Sequence, residues 1–237
     1  MGQLEQQIRN NAVLHAIPPE ELRRLLPQME PVEFATRQVI YQAGEAINAV
    51  YFPTSALMSL QLPTADGETV ELATVGREGF TGLSAILNGA KARKHGALAK
   101  VVTIIPGTAI QMKSDAFESA VDRSLVLTRC IRRYLNHLFT DLALSVSCNR
   151  LHSLEQRCAR WLLNAMDKSG QSEVFVTQEM LAGILGVYRQ SVVQVLNDLE
   201  SKGVIHCERG AITVENAQPL AAMVCECYFL LKKRSEH

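Results

Sequence analysis

Hydrophobic positions change period along the chain. From Val32 to Tyr41 they alternate loosely, and Met58, Leu60 and Leu62 alternate with Ser59 and Gln61. Glu68 to Val75 returns with Val70 and Leu72 on one side. A period of two predicts half-buried strands. Asp66-Gly67, between two such runs, is a type I′ hairpin signal. Val101–Ile105 and Ala109–Met112 add strands on either side of a Pro106-Gly107 turn. Short strands with regular Gly and Pro punctuation predict a jelly roll or barrel. Glu5 to Met29, ahead of them, reads as helical, with Pro18-Pro19 opening a new helix.

At Ser114 the pattern changes. Ser114 to about Ser147 holds no Gly or Pro, and Leu127, Ile131, Leu135, Leu138 and Leu142 step by four, four, three and four. That heptad-like seam, with Tyr134 and Phe139 beside it, predicts one long helix with a stripe to bury. Two partners suit the stripe: the chain's own β-domain, or the same helix of a second copy. A break near Cys148-Asn149-Arg150 precedes a further helix, Leu154 to Asp167, whose apolar face is Leu154, Cys158, Trp161, Leu162 and Ala165. Trp161 reads as core. These shifts divide the chain into residues 1–113, a β-rich sensor domain, 114–147, a central helix, and 148–237, a C-terminal domain.

Thr177 to Val214 reads as helix, tight turn, helix and short hairpin. Thr177 is an N-cap residue, and Met180, Leu181, Ile184 and Leu185 recur at helical spacing. Gly186 supplies the turn, and a second helix runs from about Tyr188 to Lys202 and stops at Gly203. Its core stripe is Val192, Val195, Leu196 and Leu199. Arg189, Gln190, Val193, Gln194 and Asn197 fall on the other side. Arg and Gln pair bidentately with guanine and adenine edges in the major groove, and Val193 suits a thymine methyl. Val204–Cys207 and Ala211–Val214, around Glu208-Arg209-Gly210, form a wing that carries Arg209. This is the layout of a winged helix-turn-helix, and it predicts a double-stranded DNA partner. Such dimers read half-sites about 10 bp apart, or a multiple. A helix pair at the seam Leu127, Ile131, Leu135, Leu138, Leu142 therefore agrees with a homodimer on a two-fold symmetric operator.

Charge tempers that reading. The chain of 237 residues carries 24 Lys+Arg and 24 Asp+Glu, and from Arg150 onward the balance is again ten against ten. Phosphate neutralisation supplies non-specific affinity, so little of it is expected here. A hydrophobic fraction of 47% is enough for real cores. MGQLEQQIRNN lacks the apolar stretch of an export signal, and the uncharged run Ala46–Ala65 is broken by Pro53 and Pro63. With six cysteines (130, 148, 158, 207, 225, 227) and no export signal, the expectation is reduced thiols in the cytoplasm, with no membrane partner.

The order β-roll, central helix, winged helix resembles the Crp/Fnr family of bacterial transcription regulators. Gly44-Glu45-Ala46-Ile47-Asn48-Ala49-Val50-Tyr51-Phe52 resembles the family's G-E-x-x-x-x-h-Y turn. Val75 to Gly82 resembles its G-x-x-G-x-x-G segment, and Gly186-Val187-Tyr188-Arg189-Gln190-Ser191-Val192 its recognition core. The likeness spans roughly residues 10 to 220. It implies an α+β fold: an N-terminal jelly roll of the cyclic-nucleotide-binding type, a long dimerisation helix and a C-terminal winged helix-turn-helix. It implies that Arg189, Gln190 and Gln194 read bases and that Ser191 and Thr177, beside Gln178, touch phosphate. It also implies RNA polymerase as a partner and a small-molecule effector in the roll.

At the effector site the chain departs from the family pattern. Cyclic-nucleotide-binding members place a Glu after the cassette Gly to hold the ribose, and an Arg-Ser or Arg-Thr pair to hold the phosphate. Here Leu83 follows Gly82, and Lys94 follows Arg93. Hydroxyls and phosphate buried without partners lose several kcal/mol, on the order of the whole affinity. The expectation is that cyclic AMP is not the effector. The pocket residues are Arg77, Gly82, Leu83, Arg93 and Lys94; with Lys91 and His95 the last two would suit another anion or form a solvated loop.

Two other readings stay open. One is a regulator that senses redox state or metal through cysteine. The iron–sulfur members' N-terminal cluster is absent, since no cysteine precedes Cys130. Cys225-x-Cys227 with Cys148 and Cys158 is not a zinc-finger spacing, so buried apolar thiols are the default, with no metal and no cofactor. The other is an interaction module with a degenerate winged helix. An enzyme is not expected: no P-loop, G-x-S-x-G, C-x-x-C or paired-carboxylate signature is present, and no catalytic residue is assigned.

Overall fold

The computed structural model describes residues 3–63, 69–87 and 96–235. Three short helices, α1 (Gln3–Ile8), α2 (Ala12–His15) and α3 (Pro19–Leu25), lead into the β-domain. Asn11 caps α2 through its Oδ1, while its Nδ2 donates to the carbonyls of Pro53 and Gly79, 3.0 and 2.7 Å away. A fully buried side chain thus fixes the N-terminal helices to the roll.

Seven strands follow: β1 (Met29–Phe34), β2 (Val39–Tyr41), β3 (Ala49–Pro53), β4 (Leu57–Pro63), β5 (Thr69–Val75), β6 (Lys100–Ile105) and β7 (Gly107–Lys113). They form two antiparallel sheets, ordered β1-β7-β3 and β2-β6-β4-β5. The alternation across Val32–Tyr41 belongs to two strands in different sheets, because Arg37 breaks it at φ +63°. Pro106-Gly107 likewise makes no hairpin but carries the chain from one sheet to the other. Asp66-Gly67 lies outside the described residues. Helix α4 (Leu83–Leu87) leaves the roll near Thr81, which bridges to Tyr51.

The central helix differs from expectation at both ends. Ser114–Ser147 is not one helix but α5 (Ser114–Arg123) followed by α6 (Leu125–Leu151). Between them Ser124 is extended, and its Oγ caps the Leu127 amide at 3.0 Å while donating to Glu21 at 2.8 Å. At the other end α6 runs past Cys148-Asn149-Arg150 and stops at His152. There Ser153 and Gln156 form the capping box of α7 (Leu154–Ser169).

The leucine seam also divides. Leu127 and Ile131, with Tyr134, are buried in the chain's own core against Phe80 and Phe117. Leu135 and Leu138 are half-buried on its edge. A separate stripe, Leu125, Phe139 and Val146, is exposed, at 77%, 71% and 66%.

The C-terminal domain adds β8 (Glu173–Val174), α8 (Gln178–Leu185), α9 (Arg189–Ser201), β9 (Ile205–Glu208), β10 (Ala211–Val214), α10 (Ala217–Met223) and α11 (Glu226–Ser235). Its sheet is ordered β8-β10-β9. Trp161 is core, and its Nε1 also donates to Glu71 of β5 at 2.9 Å. Among the described residues, no helix is long and apolar enough to cross a membrane.

Candidate nucleic-acid interface

Thr177 begins the site as a helix cap: its hydroxyl accepts from the Met180 amide at 3.1 Å. Gly186 ends α8 at φ +63°, a left-handed conformation costly for side chains with a Cβ, and so turns the chain into α9. Val192, Leu196 and Leu199 are buried under α9 and fix its rotation. Arg189, Gln190, Gln194 and Asn197 are exposed, and Ser191 and Val193 are half-buried. At 3.6 residues per turn, Arg189, Val193, Asn197, Gln190 and Gln194 span an arc of about 140°. The fold therefore gathers these five expected base-reading side chains on one open face.

Arg189 is partly pre-set. Its Nη2 lies 3.4 Å from Gln178 Oε1 and its Nε 3.9 Å from Glu179 Oε2. Gln178, Thr177, Arg189 and Arg209 all line one groove of about 440 Å³ between α8, α9 and the wing. Gly210, at φ +87°, closes the wing, and Arg209 stands exposed at its tip. Glu200 ties the wing to the recognition helix by accepting from the Cys207 amide at 2.8 Å and lying 3.2 Å from His206 Nδ1.

Tyr188, 87% exposed at the N-cap of α9, was not read as a site residue. An aromatic in a tight turn immediately before the recognition helix was the available signal.

Among the described residues, the expected effector residues Arg77, Gly82 and Leu83 are not gathered in this way. Arg77 points out of the roll: its Nη2 donates to the Asp167 carbonyl at 3.0 Å, and its backbone joins Ala12 and Lys168. Gly82, at φ +94°, packs against Val50 and Ile47, and Leu83 is half-buried against the apolar core. Arg93 and Lys94, with Lys91 and His95, lie outside the described residues. Inside the roll, Phe34, Tyr41, Ile47, Met58 and Val101 form an apolar cluster with Tyr51. Burial pushes the Tyr41 phenol well up, with the Thr81 hydroxyl acting the other way.

The glycines of the cassette serve a different contact. A Cβ on Gly79 would fall within the ring of Tyr134, whose hydroxyl donates to the Phe80 carbonyl at 3.0 Å. A Cβ on Gly76 would meet the backbone of Lys168. The segment is thus the seat on which α6 and the end of α7 rest.

Comparisons with known proteins agree with this architecture. The Cyclic nucleotide-binding domain family matches residues 31–124, and the Crp-like helix-turn-helix domain family matches residues 156–223. The CRP-like cAMP-activated global transcriptional regulator of Mycobacterium tuberculosis is 25% identical over 221 residues, covering 88% of this chain and 94% of that protein. Among solved structures, a Crp/Fnr-family regulator from Eubacterium rectale superposes with a TM-score of 0.67 at 14% identity, covering 91% of this chain and 98% of the other. The c-di-GMP responsive regulator CLP of Xanthomonas campestris gives 0.64 at 16% identity, covering 83% and 99%. A roll of the first kind, a long helix and a helix-turn-helix of the second kind, in this order, are the architecture of a Crp/Fnr-type DNA-binding transcription regulator.

Proposed function

We propose that the protein is a cytoplasmic homodimer that reads a two-fold symmetric operator through α9 and acts on RNA polymerase. Its division of labour is residues 1–113 for sensing, the central helix for pairing and the C-terminal domain for DNA. The observation that carries the reading is the open arc of Arg189, Gln190, Val193, Gln194 and Asn197 above a buried core face. Arg189 and Gln190 suit guanine and adenine edges. Ser191, Thr177, Gln178 and Arg209 flank them where phosphates would run.

Pairing uses the open stripe of α6 together with the outer part of the seam read from the leucines, while Leu127 and Ile131 stay in the chain's own core. Leu125, Arg132, Phe139 and Val146 are spaced by seven, with Leu135 and Leu142 alongside. The signal is an effector other than cyclic AMP. The Mycobacterium tuberculosis relative is described as cAMP-activated, but Leu83 offers no acceptor for a ribose, and Arg77 is engaged with α7.

Selection of bound fragments from a random DNA pool tests this reading, followed by titration of the selected site with the Arg189→Ala variant. A two-fold symmetric motif is expected, with Arg189→Ala costing about 1–3 kcal/mol on it and little on unrelated DNA. Equal loss on every sequence would reassign Arg189 to a phosphate. An enriched motif without symmetry would overturn the dimeric reading.

A further inference from the structure

The cysteines near the chain's end have a partner that their spacing does not reveal. Cys148 sits in the last turn of α6, and His152, four residues on, is its cap residue. Cys225 and Cys227 flank the start of α11. Because α11 packs back against α6 and α7, the two pairs meet. All three cysteines are buried, with Leu144 over them. Cys148 Sγ lies 3.5 Å from Cys225 Sγ, and Cys227 Sγ lies 3.8 Å from His152 Nδ1. The four donor atoms lie within 4.8 Å of one another.

Buried free cysteines are ordinarily small apolar packers. Three features go beyond that. The first is convergence: two thiolates about 2.3 Å from one tetrahedral ion stand about 3.8 Å apart, close to the separations found here. An iron–sulfur cluster, with several irons and sulfides between its cysteines, needs a wider cradle. The second is the orientation of His152. Its Nε2 lies 3.3 Å from Glu226 Oε1, which leaves Nδ1 facing the sulfurs. A carboxylate on the far ring nitrogen is the usual way a ligand histidine is held. The third is location. All four residues fall outside the two matched family segments, 31–124 and 156–223.

We propose that Cys148, His152, Cys225 and Cys227 bind a single thiophilic divalent cation, of which Zn²⁺ best suits a Cys₃His donor set. Each thiol releases its proton to solvent as the ion binds, and His152 coordinates as neutral imidazole. The ion fastens α11 across the junction of α6 and α7, where the central helix hands over to the DNA-binding domain.

The full chain, purified under reducing conditions without chelator, provides the test. Elemental analysis should find one zinc per protomer. Cobalt substitution should give the intense visible bands of tetrahedral cobalt thiolate. Cys225→Ser and His152→Ala should each weaken cobalt binding by at least tenfold, roughly, and Glu226→Gln by about tenfold. Cys158→Ser, outside the cluster, should leave the stoichiometry unchanged. A ligand variant can fail to fold; Glu226, exposed and not itself a ligand, keeps the test decisive. Metal well below one equivalent, an octahedral cobalt spectrum, a sulfide-containing iron cluster, or a Cys148–Cys225 disulfide in place of the ion would each overturn the proposal.

Discussion

Lys168 joins three parts of the molecule through one ammonium group. From the end of α7 its Nζ reaches Asp141 of α6 at 2.8 Å, the Thr74 carbonyl of β5 at 2.8 Å and Glu78 at 3.6 Å. Burial alone would lower its pKa, but Asp141 and Glu78 prevail and hold it at about 12. Burial likewise works against the Asp141 carboxylate, yet Lys168 and Arg160 bring its pKa below the ordinary 3.8. The signs define a window. Asp141 contributes stability that is present above pH 3.8 and lost as pH falls through its folded value. Lys168 contributes stability that is present below pH 10.5 and lost as pH rises toward about 12. Asp141→Asn leaves a buried ammonium short of its counter-charge and should cost about 3–5 kcal/mol near neutral pH, much of it recovered by adding Lys168→Met. Urea unfolding of the single and double variants measures this. A loss under about 1 kcal/mol for Asp141→Asn would show that the pair does not hold the domains together. None of this was legible in the sequence, where the partners lie 27 and 94 residues apart and Lys168 reads as an ordinary basic residue at a helix end.

The elements of the DNA-binding unit were legible because their signals are local. The Thr177 cap, the Gly186 turn, the 3.6-residue stripe of α9 and the Gly210 wing are each written within a few residues. The central helix was less so. Its leucine steps average more than 3.5 residues, so the seam winds between two apolar faces. One face, with Leu127, Ile131 and Tyr134, is claimed by the roll, and the other holds Phe139 and Val146 in the open. Sequence periodicity cannot tell which stripe an unseen neighbour will cover. The α5–α6 break was missed because a Gly/Pro search does not register a Ser cap such as Ser124. Two large apolar side chains two turns apart on an exposed helix face should pair with their copies. Phe139→Glu with Val146→Glu sets like charges across that seam, and sedimentation at micromolar concentration should change from dimer to monomer while circular dichroism stays native. A wild-type chain that sediments as a monomer would remove the stripe from the interface.

At the scale of the whole molecule, the cassette glycines show that a segment recognised by its spacing is also a contact between domains. Gly76 and Gly79 stand at the spacing that marks an effector segment, but here they admit Lys168 and Tyr134 from α7 and α6. Arg77, expected in the effector pocket, joins the same contact through Asp167. Trp161 to Glu71 and Gln171 to the Ser55 carbonyl complete a polar seam between roll and C-terminal domain. A ligand that favours one arrangement of the two domains shifts the equilibrium only by its differential affinity for the two states. Under the proposed reading cyclic AMP lacks that differential affinity, because the apolar Leu83 follows Gly82, and an unpartnered buried polar group costs about 1–3 kcal/mol. Calorimetric titration of the protein with cyclic AMP should give no micromolar binding, and operator affinity should be unchanged at saturating nucleotide. Replacing Leu83 with Glu supplies the missing carboxylate. If the rest of the pocket is competent, Leu83→Glu should gain measurable nucleotide affinity. Micromolar cyclic AMP binding by the unmodified chain would instead mean that other residues of the roll replace the ribose contact.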